Sequence, residues 1–426
     1  MLVLRMLPVL LFSFASLPAP PLSFSISGDA AILMNAESRA ILFEKNAHVR
    51  LFPASTTKIA IGLYTLKFFS HELDTVITAE QDALASISPE AKLKSNFTMP
   101  SHWLETDAMH MGIKKGEQMT LRDLLAGALI PSADDAANVI AKYCGKSIPE
   151  YMKQLNLYLA SIGCKNTHFL NPHGLHHPEH QSTAYDLALM TTEALKEPLF
   201  CEMVAQPRFI RPKTNKQASV PIPNTNRLVR PGAYYYSKAI GVKTGWHSRS
   251  KSTFVGAARH GGRTLIVVLL GYANRKTLFE EAVQLFEVAF NQPKIHRTFL
   301  AAGDQPYTLS LPNSRDVLKT HLQEELSLDY YPAEDPQVKC ILNWKALSLP
   351  IAENQEVAEI VLTTREGAVL KKAPLLAREP VEWAWPQRWV QKLPAALRIT
   401  WLSAFLSLFF AFIAGTALYM LLQSRR

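Results

Sequence analysis

Ser55 and Lys58 stand three residues apart in Pro53-Ala-Ser-Thr-Thr-Lys58, just ahead of an apolar run from Ile59 to Tyr64. On one helical turn that spacing sets a hydroxyl beside an amine. A nucleophile and its base are then held together without a histidine. A single S-x-x-K is weak by itself, since chance places several in a chain of 426 residues. Two later stretches give it meaning: Ser132-Ala133-Asp134, then Lys243-Thr244-Gly245. Hydroxyls and cations on three separated segments are what acyl transfer through a serine needs.

The surrounding pattern says how these segments are carried. Ala30–Asn35 and Ala40–Lys45 read as a β-hairpin. Ser55 is expected to begin a long helix, apolar on every face and therefore buried. Residues 75–117 show weak periodicity and read as loops and small elements. Thr120-Leu-Arg-Asp123 fits a capping box, Pro131 stops that helix, and another begins near Asp135. Ser132 to Asp134 then fall in a tight connection that points side chains into a cleft. A further helix opens at Ser182-Thr183 and runs to about Lys196. Gly241 to Gly245 reads as a strand end, Ser252–Arg259 and Thr264–Gly271 as a hairpin around Gly261-Gly262, and Lys276–Asn291 as an amphipathic helix. The fold class expected is α+β: a sheet whose strands come from both ends of the sequence, covered by helices. From about 293 to 380, short alternating segments broken by Pro, Asn and Gly predict a small β-domain.

The chain ends are more apolar than its middle. Arg5, the uncharged run Met6 to Ala15, and Ser16-Leu-Pro-Ala19 read as an export signal over residues 1–19, a buried N-terminal strand or helix being the alternative. Ile399 to Leu422 carries no charge, with Arg398 before it and Arg425-Arg426 after. It is long enough to cross a bilayer, which takes about 20 residues. The expectation is a single-pass protein of the inner (cytoplasmic) membrane with its body on the periplasmic side. Trp383, Trp385 and Trp389, in a membrane-proximal segment at 381–398, suit the lipid interface. The net charge of +9 comes without a basic cluster interleaved with aromatics, so no nucleic acid is expected as partner. Cys144, Cys164, Cys201 and Cys340 lack metal-ligand spacing, and Pro178 separates His176 from His180. No metal and no cofactor are called for.

With Pro53–Lys58, Ser132–Asp134, Lys243–Gly245, Asn171-Pro-His-Gly-Leu175, His180–Asp186 and Asn224–Leu228 in this order, the chain resembles the low-molecular-mass penicillin-binding proteins. The resemblance is to their D-alanyl-D-alanine carboxypeptidases, typified by penicillin-binding protein 5, and runs from about Ala30 to Trp385. It implies a β-lactamase/transpeptidase-like catalytic domain, placed at 25–292, and a β-domain at 293–380, to which the apolar run adds a transmembrane helix at 399–422. The implied reaction removes the terminal D-alanine of peptidoglycan stem pentapeptides through an acyl-enzyme on Ser55, with β-lactams as covalent inhibitors. Lys58 would be the base, Ser132 a proton relay, and Lys243, Thr244 and Gly245 the substrate-binding strand. The backbone amides of Ser55 and Trp246 would form the oxyanion hole. Lys58 can serve only if desolvation and cationic neighbours lower its pKa. A β-lactamase of the same fold is the first alternative. However, Glu150, Glu179, Glu193, Glu197 and Glu202 have no asparagine four positions on, as a deacylating E-x-x-x-N loop would. A non-catalytic wall-binding scaffold is the second.

Two departures from the family pattern stand out. The middle motif usually ends in asparagine, and here Asp134 takes that substrate-binding position. An ionised aspartate about 4 Å from Lys58 would stabilise the ammonium by roughly 4 kcal/mol, about three pKa units in the wrong direction for a base. Asp134 is therefore expected to be protonated, to point away, or to be bypassed by another proton path. The second departure is Trp246-His247-Ser248-Arg249 in place of the usual His-Thr and small residues after K-T-G.

Overall fold

The computed structural model describes residues 9–13, 22, 24–365, 367–385 and 389, together with 407–409, 411, 413–416 and 420. The chain parts into two compact units. One runs through Pro293 and includes Tyr331–Glu334; the other takes Lys294–Tyr330 and the chain from Asp335, with Val9–Ser13.

The first unit is built on five antiparallel strands, β1 (Ala30–Asn35), β2 (Ile41–Lys45), β3 (Ala239–His247), β4 (Lys251–His260) and β5 (Arg263–Tyr272). Their order is β3-β4-β5-β1-β2, so β1 pairs with β5 and the two ends of the sequence meet in mid-sheet. Both faces are covered, and the strand period of two decides which residue meets which layer. Ile32, Met34, Val268 and Leu270 join one core with the central helices. Ala31, Leu33, Val267 and Leu269 join another with the helix Arg275–Phe290 on the opposite face. The turn between β4 and β5 uses Gly261 and Gly262 at φ 58° and 76°, as their spacing suggested.

Among the helices, α1 (Lys58–Phe69) is buried continuously from Lys58 to Leu66, because apolar residues occupy all its faces. It begins three residues later than the sequence suggested. Ala54–Thr57 form a 3₁₀ turn, so Ser55 sits on that turn rather than inside the helix. Helix α2 (Leu121–Leu129) is capped by Thr120, whose Oγ1 accepts from the Asp123 amide at 3.1 Å. Helix α3 (Asp134–Gly145) follows, with Asp134 as its first residue. Helix α4 (Ala184–Ala194) is capped by Thr183. The stretch 75–117 is small elements, among them a strand Val76–Thr78 paired with Gln118–Thr120 and a short helix Pro89–Lys94.

The second unit holds a six-stranded sheet including Lys339–Trp344, Glu356–Thr363 and Val369–Ala377, with a core of Cys340, Leu342, Ile360, Leu362 and Leu375. Val9–Ser13, inside the stretch read as an export signal, is a strand of this sheet, antiparallel to Lys339–Trp344. Its backbone groups complete the ladder of what would otherwise be an edge strand. Among the described residues no helix is long and apolar enough to cross a membrane, and the span expected at 399–422 lies largely outside them. All four cysteines are free thiols.

Candidate active site

Three segments converge at the start of α1. The turn Ala54–Thr57 is held by Thr56 Oγ1 donating to Pro53 O at 2.7 Å and Thr57 Oγ1 donating to Ala54 O at 2.8 Å. Ala54 has a positive φ of 49°, a strained position for a side-chain-bearing residue. The loop Asn171–Leu175 braces it. Gly174, at φ 92°, lies so close that a Cβ there would collide with Ala54 O, so only glycine fits. Asn171 Oδ1 fixes that glycine by accepting from its amide at 2.7 Å. On the other side, a Cβ on Gly245 would sit 2.9 Å from Ser55 N, which places β3 directly against the serine. Thr253 on β4 donates to Pro53 O at 2.9 Å and ties the turn to the sheet.

Lys58 is wholly buried, and its amine has three partners: Ser55 Oγ at 3.1 Å, Asp134 Oδ1 at 2.5 Å and His173 O at 2.8 Å. Asp134 does not point away. It is 2% exposed and forms a buried ion pair or its shared-proton equivalent with Lys58. Burial is the larger influence on both members. It lowers Lys58 despite the neighbouring carboxylate, and it raises Asp134 despite the neighbouring amine. Both shifts favour the uncharged forms, which is the direction a base at this position needs.

Lys243 is also fully buried, and its amine donates to Thr244 O at 3.1 Å. Burial, then repulsion from Lys58, pushes Lys243 well below its usual range. An anionic substrate group brought beside it would restore its charge. Thr244 is buried next to it, while Trp246 turns its indole outward, 67% exposed, so what Trp246 can give the site is its backbone amide. Ser132 occupies the link between α2 and α3, buried, in the left-handed conformation at φ 74°. Ser55 and Asp134 thus both meet the Lys58 amine, and Lys243 is coupled electrostatically to Lys58 and Asp134.

Some participants were not legible as such. His173 contributes its carbonyl rather than its ring; the ring is buried, Nδ1 accepting from the Leu175 amide and Nε2 lying 3.2 Å from His102 O. His180 meets Thr57 Oγ1 at 2.9 Å through Nε2 and accepts from the Leu170 amide at Nδ1. Asp135, beside the motif, accepts the amides of Met111 and Ile113 and pins that segment over α3. The family-like blocks at Asn171–Leu175 and His180–Asp186 hinted at His173 and His180 but not at these contacts, because a carbonyl's aim depends on the path of a loop.

Residues 15–274 match the peptidase family described as D-alanyl-D-alanine carboxypeptidase. The chain belongs to that family and is an enzyme of the serine carboxypeptidase class. It is 27% identical to the D-alanyl-D-alanine carboxypeptidase DacF of Bacillus subtilis over 358 residues, 83% of this chain and 86% of that one. It is 30% identical to DacB2 of Mycobacterium tuberculosis over 264 residues, 61% of this chain and 81% of that one. Among solved structures, the D-alanyl-D-alanine carboxypeptidase of Mycobacterium tuberculosis H37Rv is similar at 28% identity and a TM-score of 0.54, covering 64% of this chain and 95% of that one. Penicillin-binding protein 6B of Escherichia coli shares the fold, with a TM-score of 0.57 over 86% of this chain and all of the other.

Proposed function

We propose that this protein hydrolyses the terminal D-Ala–D-Ala bond of peptidoglycan stem peptides by way of an ester on Ser55. The observation that carries this is the contact between Ser55 Oγ and the buried amine of Lys58 at 3.1 Å. Lys58, in its free-base form, takes the hydroxyl proton as Ser55 Oγ attacks the carbonyl of the penultimate D-alanine. The amides of Ser55 and Trp246 receive the oxyanion; removing one such donor typically costs about 2.7–4 kcal/mol. The proton passes through Ser132 to the departing amine, and free D-alanine leaves. Lys243 and Thr244 hold the terminal carboxylate, with Gly245 letting the strand approach the serine. Water then cleaves the ester and restores Ser55.

β-Lactams present a reactive carbonyl and a carboxylate to the same groups and acylate Ser55. The 1–19 segment as export signal, residues 293–380 as an accessory β-domain, and the 399–422 segment as anchor, with the body outside the cytoplasmic membrane, complete the proposal. Mass spectrometry of a pentapeptide incubated with the protein should show loss of one alanine, abolished by Ser55→Ala. Protease accessibility in intact and permeabilised cells tests the placement.

A further inference from the structure

Beside the catalytic strand lies a second group of charged side chains that hydrolysis does not use. A pocket of about 80 Å³, two or three waters' worth of space, is lined by Lys92, Phe97, Glu105, His176, His247 and Arg249 among others. Lys92 Nζ and Glu105 Oε1 pair at 2.8 Å, both side chains buried. The second oxygen of Glu105 lies 3.6 Å from His247 Nε2. The His247 ring stacks on His176 with centroids 5.4 Å apart. His176 Nδ1 is buried without a hydrogen-bond partner, an atom that ordinarily finds one. Burial first, then His247, pulls His176 down to about 4, so its ring is neutral and can carry its proton on Nδ1 as a donor.

The charge balance favours an anion. Two basic side chains, Lys92 and Arg249, face one carboxylate, Glu105, across the pocket. The Lys92 ammonium has three donors, and its hydrogen-bond partner among the described residues is Glu105 Oε1. An entering carboxylate would satisfy the free Lys92 donors, pair with Arg249 at the mouth and accept from His176. An ammonium could pair only with Glu105, whose carboxylate Lys92 already holds, and would be repelled by Lys92 and Arg249. An apolar group would leave the buried donors unpaired.

Position ties the pocket to the reaction. Lys243, Gly245 and His247 share one face of β3, and two residues of strand span about 7 Å. His176 stands three residues beyond His173, whose carbonyl holds Lys58. β3 is the edge of its sheet, open to an added strand. A peptide lying antiparallel to it, with its terminal carboxylate at Lys243 and its scissile carbonyl at Ser55, runs upstream toward His247.

Given the hydrolase reading above, we propose that this pocket is a substrate subsite for a carboxylate-bearing side chain one or two residues upstream of the acylated D-alanine. The enzyme therefore prefers stem peptides that are acidic at that side chain over the same peptides with the acid amidated or replaced by an amine. The test uses matched peptides ending in D-Ala-D-Ala whose upstream side chain is a carboxylate, its carboxamide, or an amine. The acid should exceed the amide by about tenfold in kcat/KM, carried mainly by KM. Arg249→Ala, at the exposed rim, should collapse that ratio toward one, as should Lys92→Met, with thermal melting confirming that each variant is folded. Equal kcat/KM for acid and amide, or a preference that survives Arg249→Ala in a folded protein, overturns the subsite. Failure to release D-alanine from any of the peptides would instead overturn the hydrolase reading on which it rests.

Discussion

Asp134→Asn isolates the charge next to the base while keeping the shape of the side chain. Asparagine Oδ1 can still accept from Lys58, but the negative charge 2.5 Å from the amine is gone. An ionised carboxylate even 4 Å away stabilises an ammonium by about 4 kcal/mol at an effective dielectric of 20. That corresponds to about three pKa units. Burial raises Asp134 and so opposes its ionisation, and less than this full effect is expected. The sign follows directly. Asp134 raises Lys58 against the lowering by burial, so its removal lowers Lys58 further. With the free base of Lys58 as the active form, as proposed above, the acidic limb of acylation should move to lower pH by roughly one to three units. The assay is the second-order rate of acylation by a fluorescent penicillin between about pH 5 and 10, with kcat/KM for a D-Ala-D-Ala peptide alongside. Below the wild-type limb the variant should be faster, by up to about tenfold per unit moved, with a modestly lower plateau because a weaker base is slower. A limb that stays in place or moves upward would refute the reasoning. So would a plateau reduced more than about a hundredfold, which would make the carboxyl a participant in proton transfer.

Gly174→Ala forces a Cβ toward Ala54 O at positive φ; it should destabilise the protein by about 3 kcal/mol and depress penicillin labelling, measured by melting and gel fluorescence. Thr57→Val removes the hydroxyl that joins Ala54 O to the His180 ring and should cost about 1–3 kcal/mol in denaturant unfolding; an unchanged midpoint would mean the turn is held elsewhere. Glu105 is raised by burial, but the nearby His247 ring and the paired Lys92 prevail and bring it to about 2, against 4.5 in the unfolded chain. Its contribution to stability is therefore present above about pH 4.5 and lost as pH falls through about 2, at most about 3 kcal/mol. The stability gap between wild type and Glu105→Gln should close over that window; a constant gap would show that its ionisation does not matter.

Motif spacing pointed to the proposed chemistry, and local pattern to most of the scaffold. Ser55, Lys58, Ser132 and Lys243 could be picked out as candidates because the nucleophile, base and cation of the proposed reaction must sit on ordered segments at fixed spacing. The sheet of β1 to β5, the Gly261-Gly262 turn and the Thr120 cap were legible because strand alternation, positive φ and capping are local properties. Tertiary structure alone decided the rest. The fate of Asp134 depended on α3 starting at that residue and aiming its carboxylate at α1, which no local pattern encodes. The 3₁₀ turn under Ser55 is set by Gly174 from a loop more than a hundred residues away. The pocket of Lys92, Glu105, His176 and His247 gathers four segments, and the strand at Val9–Ser13 pairs with one far downstream. Contacts between distant segments form because burial and hydrogen-bond satisfaction are met by the whole fold at once, and a one-dimensional pattern records neither.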